Sequence, residues 1–471
     1  MALVTYQDYL KVGDSDEERA KFVQSAIYGH KSTDLYKFAE IAEEYAKRQN
    51  RTIVEYEKML YTIEGKAVPD MWGSNFKMPS GFFQRFITQE NQYLLANGII
   101  WTNESTADKL GEEFEKALQK LGRAALVAGV AFGFWNFDHM DTFKLTEFVP
   151  LYDEEDGAMK AGIRFWQIDS SKPLRATFYE PDGYTDYIWG ARNEAGNKDE
   201  RGQILNPKQA YTKIVAVSKI DGRMIYDGEN YPTFPIVPLW ANDDKQSELV
   251  GLREQIDCYD LIKSGFANTV DEASIIYWLV QNAGGMDDVD LAEFVTKVKT
   301  LHAASVGQDQ VAEPHQLEAP YQSREALLER LRSDLYEDAM ALDVKNISAG
   351  ATATEINASY EALDQKTSGF EKCVKEFLHD ILIIAGIDDK PIFTRKRIKN
   401  VQEEVQTLLT AATYLDEEYI TRKVLSIFGD SDQAEEVLKR IDADELGRAI
   451  VPTGEEEGEE NGEEANANGD I

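Results

Sequence analysis

Two long amphipathic stretches that turn back on each other around a short insertion limit what this chain can become. The run Phe234-Pro235-Ile236-Val237-Pro238-Leu239-Trp240 reads as a strand and ends in the polar turn Asn242-Asp243-Asp244. From 247 to 271, Leu252, Ile256, Tyr259, Ile262, Phe266 and Val270 recur at three- and four-residue steps, which predicts one helix with a single apolar stripe. At about 1.5 Å per residue that helix is roughly 38 Å long, enough to cross a domain. A second amphipathic helix is expected over 322–344, with Leu327, Leu328, Leu331, Leu335, Ala339 and Leu342 on its buried face. Small residues, Ser348-Ala349-Gly350-Ala351, interrupt the chain before a third long helix over 352–386. The first two helices form a stalk, and the residues between them form a head at its tip.

The chain before the stalk has two textures. Residues 1–62 are polar with helical periodicity over 17–28 and 35–55, and further helices are expected over 78–98 and 110–127. Asn97-Gly98 closes the first of these, glycine being the usual residue just past a helix end. From 128 to 240 the pattern predicts strands over 131–137, 143–150, 162–168, 176–179, 184–189, 213–218 and 223–226. Asp156-Gly157, Asp182-Gly183, Asp221-Gly222 and Asp227-Gly228 punctuate them as hairpin signals. The expected class is α+β, an antiparallel sheet packed on the preceding helices. The head, 274–321, reads as a small β-α-β-β module, with strand 275–281, helix 289–301 and strands 303–306 and 311–317. Residues 393–443 read as helical, and the Glu-, Gly- and Asn-rich tail after Pro452 is expected to be disordered.

Charge and motif content exclude most enzymes. The 471 residues carry 85 acidic and 50 basic side chains, a net charge of −35. That opposes a surface that clamps DNA, which needs clustered Lys and Arg, but suits a wall past which DNA slides. No apolar run approaches the ~20 residues that span a membrane. The first residues lack the basic and apolar parts of a signal peptide. Cys258 and Cys373 read as free thiols in a reducing compartment. Lys31-Ser32 after Gly29 lacks phosphate-loop spacing, and there is no G-x-S-x-G elbow or glycine-rich dinucleotide fingerprint. The best metal candidates are Asp138, His139 and Asp141, with Asp153, Glu154, Glu155 and Asp156 nearby, although Asp and His are also ordinary residues of hairpin tips. No catalytic residue, cofactor or metal is therefore assigned. The segment 345–352 reads either as a helix-helix turn or as a mobile loop that meets a passing partner, with Lys345 its nearest cation.

Several stretches, in order, resemble one family. They are Tyr93-Leu94-Leu95-Ala96-Asn97-Gly98; Gly129-Val130-Ala131-Phe132 followed by Phe148-Val149-Pro150-Leu151-Tyr152; and Ala161-Gly162-Ile163-Arg164-Phe165-Trp166. The block Pro235–Asn242 follows, then Ser247-Glu248-Leu249, Ile256-Asp257-Cys258-Tyr259-Asp260, Ser264 and Asn268, and last Ile392-Phe393-Thr394-Arg395-Lys396. Together with the helix-module-helix layout, this pattern over about 70–445 resembles the portal proteins of tailed bacteriophages, in particular the siphophage group similar to that of phage SPP1. Where this family often has glycine directly after its Tyr-Leu-Leu, Ala96 and Asn97 intervene here.

The resemblance implies a portal fold. Residues 1–246 would form an α/β wing, 247–273 and 322–344 the stem helices, and 274–321 the clip. The tunnel loop would be 345–352, with 353–388 a long wing helix, 389–450 a helical crown and 451–471 an acidic tail. It also implies a homo-oligomeric ring, usually of twelve subunits, at one capsid vertex of the virion, assembled in the host cytoplasm with major capsid and scaffold proteins. Double-stranded DNA would pass through it, and terminase and then a head-tail adaptor would dock on it. The residues expected to act are Lys345, Asn346, Ser348, Gly350 and Thr352 in the loop. Leu252, Ile256, Tyr259 and Phe266 are expected in stem contacts between subunits, and Trp278, Asp287, Glu293 and His315 in clip docking. Two other readings stay open at this point: a non-portal scaffold or adaptor of the virion, and a metal-dependent hydrolase using His139 and Asp141.

Overall fold

The structure, a computed structural model, describes residues 4–13, 15–61, 65–71, 73–103, 105–192, 198–199, 202–217, 224–273, 277–281, 311–315, 321–347, 352–395, 401–412, 414, 416–428 and 434–441. It divides into two units, Met1–Asn346 with Ser359–Arg397, and Ile347–Ala358 with Ile398–Ile471.

The first unit opens with helices α1 (Tyr6–Leu10), α2 (Asp16–Ser32), α3 (Asp34–Ala46) and α4 (Arg51–Val54) and the hairpin β1 (Met59–Tyr61), β2 (Ala67–Pro69). Thr33 separates α2 from α3 because its backbone is extended and its Oγ1 accepts from the Tyr36 N–H at 3.2 Å. Next come α5 (Phe82–Leu95), β3 (Ile99–Trp101), α6 (Ser105–Leu110) and α7 (Phe114–Ala128). The helix expected over 110–127 begins only at Phe114, because Leu110 closes α6 and Gly111, at φ +85°, separates the two helices. α7 buries Phe114, Leu118, Leu121, Ala125 and Leu126 on one side, the face that periodicity predicts.

Then follow β4 (Val130–Asn136), β5 (His139–Lys144), β6 (Phe148–Tyr152), β7 (Met159–Trp166), β8 (Leu174–Glu180), β9 (Gly183–Trp189), β10 (Ala191–Arg192), β11 (Lys198–Asp199), β12 (Gln203–Gln209), β13 (Thr212–Val217), β14 (Met224–Glu229) and β15 (Ile236–Trp240). They do not make the single sheet expected. One sheet is five-stranded, β12-β9-β8-β7-β6, another is three-stranded, β15-β4-β5, and β10-β11 and β13-β14 pair separately. The strand expected over 143–150 is two strands in different sheets. A 3-10 turn at Leu145–Glu147 carries the chain across, with Leu145 buried and the Thr146 hydroxyl donating to Glu43 at 2.7 Å. Asp182-Gly183 and Asp156-Gly157 do lie at hairpin connections, but Asp227-Gly228 sits inside β14, paired with Ile214 and Lys213. Asp221-Gly222 lies outside the described residues. The polar strand β12 has no apolar alternation and pairs at the sheet edge. Phe132, Phe134, Phe143, Phe148 and Tyr179 fill one core cluster, while Val23 and Ile27 of α2 pack with Ile163 and Phe178 of the larger sheet in another.

The chain continues through α8 (Arg253–Ala273), β16 (Tyr277–Gln281), β17 (Val311–His315), α9 (Tyr321–Asp338), α10 (Ala353–Ala385) and β18 (Pro391–Phe393). α8 starts later than expected, after turns over 248–252, and α9 stops earlier, before Met340 at φ +51°. Phe393, expected in a helix, is in a strand that pairs with β3, Ile392 opposite Ile100. Within the head only β16 and β17 are described; the helix expected over 289–301 and the strand over 303–306 lie outside the described residues. The second unit contributes α11 (Val401–Ala411) and α12 (Glu417–Phe428).

Candidate functional site

The polar side of α8 grips an extended segment of its own chain. Asp260, Ser264, Asn268 and Asp271 follow one another up the helix. The carboxylate of Asp260 accepts from the Ser80 N–H at 2.9 Å, the Ser264 hydroxyl from the Met78 N–H at 3.1 Å, and the Asn268 amide oxygen from the Phe76 N–H at 2.7 Å. The Ser74 hydroxyl donates to Asp271. Two residues of extended chain advance about 6.6 Å and four residues of helix about 6 Å, so alternate N–H groups meet successive helix turns. Asp260 is fully buried and also accepts from Asn50, and burial pushes its carboxyl upward in pKa. One turn earlier Asp257 accepts from the Tyr45 and Thr52 hydroxyls.

α8 and α9 run antiparallel. The Gln255 amide donates to Asp338 at 2.5 Å at one end, and at the other the Arg324 guanidinium donates to the Thr269 hydroxyl at 2.7 Å and the Phe266 and Tyr321 rings lie 5.6 Å apart. Cover fades along the pair. Leu252, Ile256 and Leu335 are buried in the chain's own core, whereas Val270 and Leu327 are 43% and 46% exposed. Leu252 and Ile256, expected in stem contacts between subunits, pack in a core cluster that α5, α7 and α10 share. Tyr259 is half-buried with its ring edge-on to Phe82 at 4.9 Å, and Phe266 is half-buried under Tyr321.

A buried ionic cluster ties this base together. Lys366 of α10 lies 3.1 Å from Glu90 of α5 and 2.8 Å from Glu248, and donates to the Ala339 carbonyl at 3.1 Å. Burial pushes the Glu90 carboxyl up to about 7; Lys366 draws it back and Glu248 adds to the rise. Burial works against the Lys366 charge, but the two carboxylates outweigh it and its pKa is raised.

The chain leaves α9 toward the expected loop under several restraints. Gln89 both donates to the Leu342 carbonyl and accepts from the Leu342 N–H, each at 3.1 Å. Arg332 pairs with Asp343 at 2.6 Å, and Asp343 also accepts from the Lys345 N–H at 3.1 Å. The Lys345 ammonium lies 3.5 Å from Glu329. Asn346 ends a 3-10 turn, Val344–Asn346. Ser348 and Gly350 lie outside the described residues. Thr352 caps α10: its N–H donates to Glu355 at 3.0 Å and its hydroxyl accepts from the Glu355 N–H at 3.3 Å, a capping box. In the head, Trp278 pairs with Pro314 and His315 with Tyr277, while Asp287 and Glu293 lie outside the described residues.

His139 lies exposed beside the β4–β5 hairpin tip, and Asp141 lies half-buried within β5 opposite Phe134. His139 Nδ1 is 2.7 Å from Asp138 and Nε2 is 3.7 Å from Asp141. At the β6–β7 connection the carboxylates are engaged elsewhere, Asp153 with Gln7 and the Glu155 N–H, and Asp156 with Lys160 at 2.7 Å. Among the described residues, no three metal-ligating side chains converge. The α8 ladder escaped sequence reasoning, though its signal was present: Asp260, Ser264 and Asn268 are short polar residues repeating every four along a helix.

The family model described as phage portal protein, SPP1 Gp6-like, matches residues 42–446. The portal protein of Clostridium phage phiCD119 is 24% identical over 364 residues, covering 70% of this chain and 76% of that protein. The portal protein of Bacillus phage SPP1 is 23% identical over 394 residues, covering 75% of this chain and 73% of that protein. Among solved structures, the neck of an empty GTA particle computed with C6 symmetry aligns with a TM-score of 0.44 and 10% identity over 74% of this chain and 90% of that one. The sheets, the ladder residues and every helix from α4 onward fall within the matched span, and the chain belongs to the SPP1 Gp6-like family of phage portal proteins.

Proposed function

We propose that this portal protein forms a ring-shaped channel at one capsid vertex, through which double-stranded DNA is packaged and later ejected. In this reading 1–246 is the wing, 247–273 and 322–344 the stem, 274–321 the clip, 345–352 the tunnel loop, 353–388 a wing helix and 389–450 the crown. The clip, with Trp278, Asp287, Glu293 and His315, docks terminase and then the head-tail adaptor. Lys345, Asn346, Ser348, Gly350 and Thr352 meet the DNA. Major capsid and scaffold proteins surround the ring during assembly. The chain itself is assigned no reaction; the work of packaging falls to the terminase.

The observation that carries this reading is the antiparallel α8–α9 pair, rooted in a shared core at one end and left apolar and exposed at the other, at Val270 and Leu327. An apolar end of that kind is covered when copies pack side by side around an axis. The net charge of −35 supports a wall that does not hold phosphate. Electron microscopy of the purified protein, with mass by light scattering, tests it. A ring with a central channel wide enough for duplex DNA is expected; a ring with a closed centre would overturn it.

A further inference from the structure

In a chain of such negative charge, one groove of the first unit is positive. It measures about 760 Å³ and lies between the end of α3, α5, α9 and the segment leading to Lys345. Arg48, Arg85, Arg332 and Lys345 line it, and Asp343 is the one carboxylate in its lining. Arg332 and Lys345 have acidic partners in Asp343 and Glu329. Arg48 and Arg85 instead hydrogen-bond to neutral groups. Arg48 Nε donates to the Gln84 amide oxygen at 2.6 Å and Arg85 donates to the Tyr336 hydroxyl, and both side chains are exposed. Among the described residues, neither guanidinium is paired with a carboxylate.

Arg48 is also held there at a cost. It stands just past the end of α3 at φ +60°, the position and conformation that favour glycine. Room for its guanidinium comes from Gly81, where a Cβ would lie 2.7 Å from Arg48 Nε. A strained backbone that delivers a charge into a groove points to use of that charge. The groove wall is rigid, because Gln89 grips Leu342 on both sides and Arg332 grips Asp343.

Building on the ring reading, we infer that this groove receives an acidic face of a second copy of the chain and is one half of the contact between neighbouring subunits. A subunit with 85 acidic and 50 basic side chains repels its own copies, so association needs places where positive charge is concentrated. Carboxylate side chains fit a concave site, and Arg pairs with them in two-point geometry. Duplex phosphate fits less well, because arginines that held it would brake its passage.

Two variants of the full-length protein test this. Arg48→Gly with Arg85→Ala removes both free charges while relieving the backbone at 48. The melting temperature should hold, and the protein concentration for half assembly, read by light scattering, should rise about tenfold or more. In Arg85→Lys, carbodiimide coupling of the new amine should yield peptides joined to an Asp or Glu of another copy, identified by mixing isotope-labelled and unlabelled protein. Assembly of the double variant at the wild-type concentration would overturn the inference while leaving the ring standing. So would unchanged assembly with loss of duplex DNA binding, which would give the groove to phosphate. A wild type that stays monomeric, with coupling confined to one copy, would instead overturn the ring reading and this inference with it.

Discussion

The Asn268 side chain of α8 accepts the backbone N–H of Phe76 at 2.7 Å, across 192 positions of sequence. With Ser264 on Met78 and Asp260 on Ser80, it fastens an extended segment to a helix by side-chain acceptors instead of a second strand. Each acceptor serves one amide, so each loss should be local. Asn268→Ala should speed hydrogen exchange at Phe76, Ser264→Ala at Met78 and Asp260→Ala at Ser80. Each substitution should cost about 1–3 kcal/mol, with Asp260 at the upper end because Asn50 also loses its acceptor. Uniform exchange along 74–80 in all three variants would mean the segment is held by something other than the ladder.

The ladder also marks where sequence reading stopped. Periodicity found α7, α8 and α10, though not the starts of the first two, because each buries an apolar stripe, and stripes are written in local spacing. The stretch Ser247 to Asn268 carried the family likeness, and its four-residue polar repeat marks a polar face of the helix, yet what that face holds lies far away in sequence and cannot be read from it. The same reason hid β18. Pro391–Phe393 became a strand only because Ile99–Trp101 offers an edge to pair with. Lys366 lies within the long helix expected over 352–386 with nothing local to single it out, because its burial between Glu90 and Glu248 depends on three separate elements meeting.

That cluster predicts a pH effect. Glu90 titrates near 4.5 when unfolded and at about 7 when folded, burial being the main cause. Between those values the folded chain keeps a proton that the unfolded chain has lost. The group's contribution is therefore fully present below about pH 4.5 and is lost as pH rises through about 7. Melting temperatures measured from pH 4.5 to 8 should fall more steeply for the wild type than for Glu90→Gln, which keeps the Lys366–Glu248 pair. Parallel curves would show that Glu90 does not carry the proton.

Gly129 ends α7 at φ +92°, and its carbonyl accepts from the Ala241 N–H at 3.0 Å. A Cβ there would sit 2.9 Å from the Gln246 carbonyl carbon, which is backbone and cannot turn aside. Gly129→Ala should therefore cost about 1–3 kcal/mol from backbone strain alone, with the clash adding to it. Gly157, also at positive φ but with open space around it, should lose less on the same substitution. Thermal unfolding of the two variants side by side checks the ranking.

The fading cover along α8 and α9 separates folding from assembly. Leu252 and Ile256 are 6% and 1% exposed in the single chain, so Leu252→Ala and Ile256→Ala should each cost about 2–5 kcal/mol of stability. Val270 and Leu327 are 43% and 46% exposed, and a polar side chain there should change the stability of the isolated chain by about 0.5 kcal/mol or less. If neighbouring copies cover that end of the pair, Val270→Asp and Leu327→Glu should block ring formation while leaving the melting temperature of the unassembled protein in place. Electron microscopy for rings and calorimetry for the melt, on the same preparations, give both readings. Rings that form normally with both substitutions would place the subunit contact elsewhere and leave the exposed leucine and valine facing solvent.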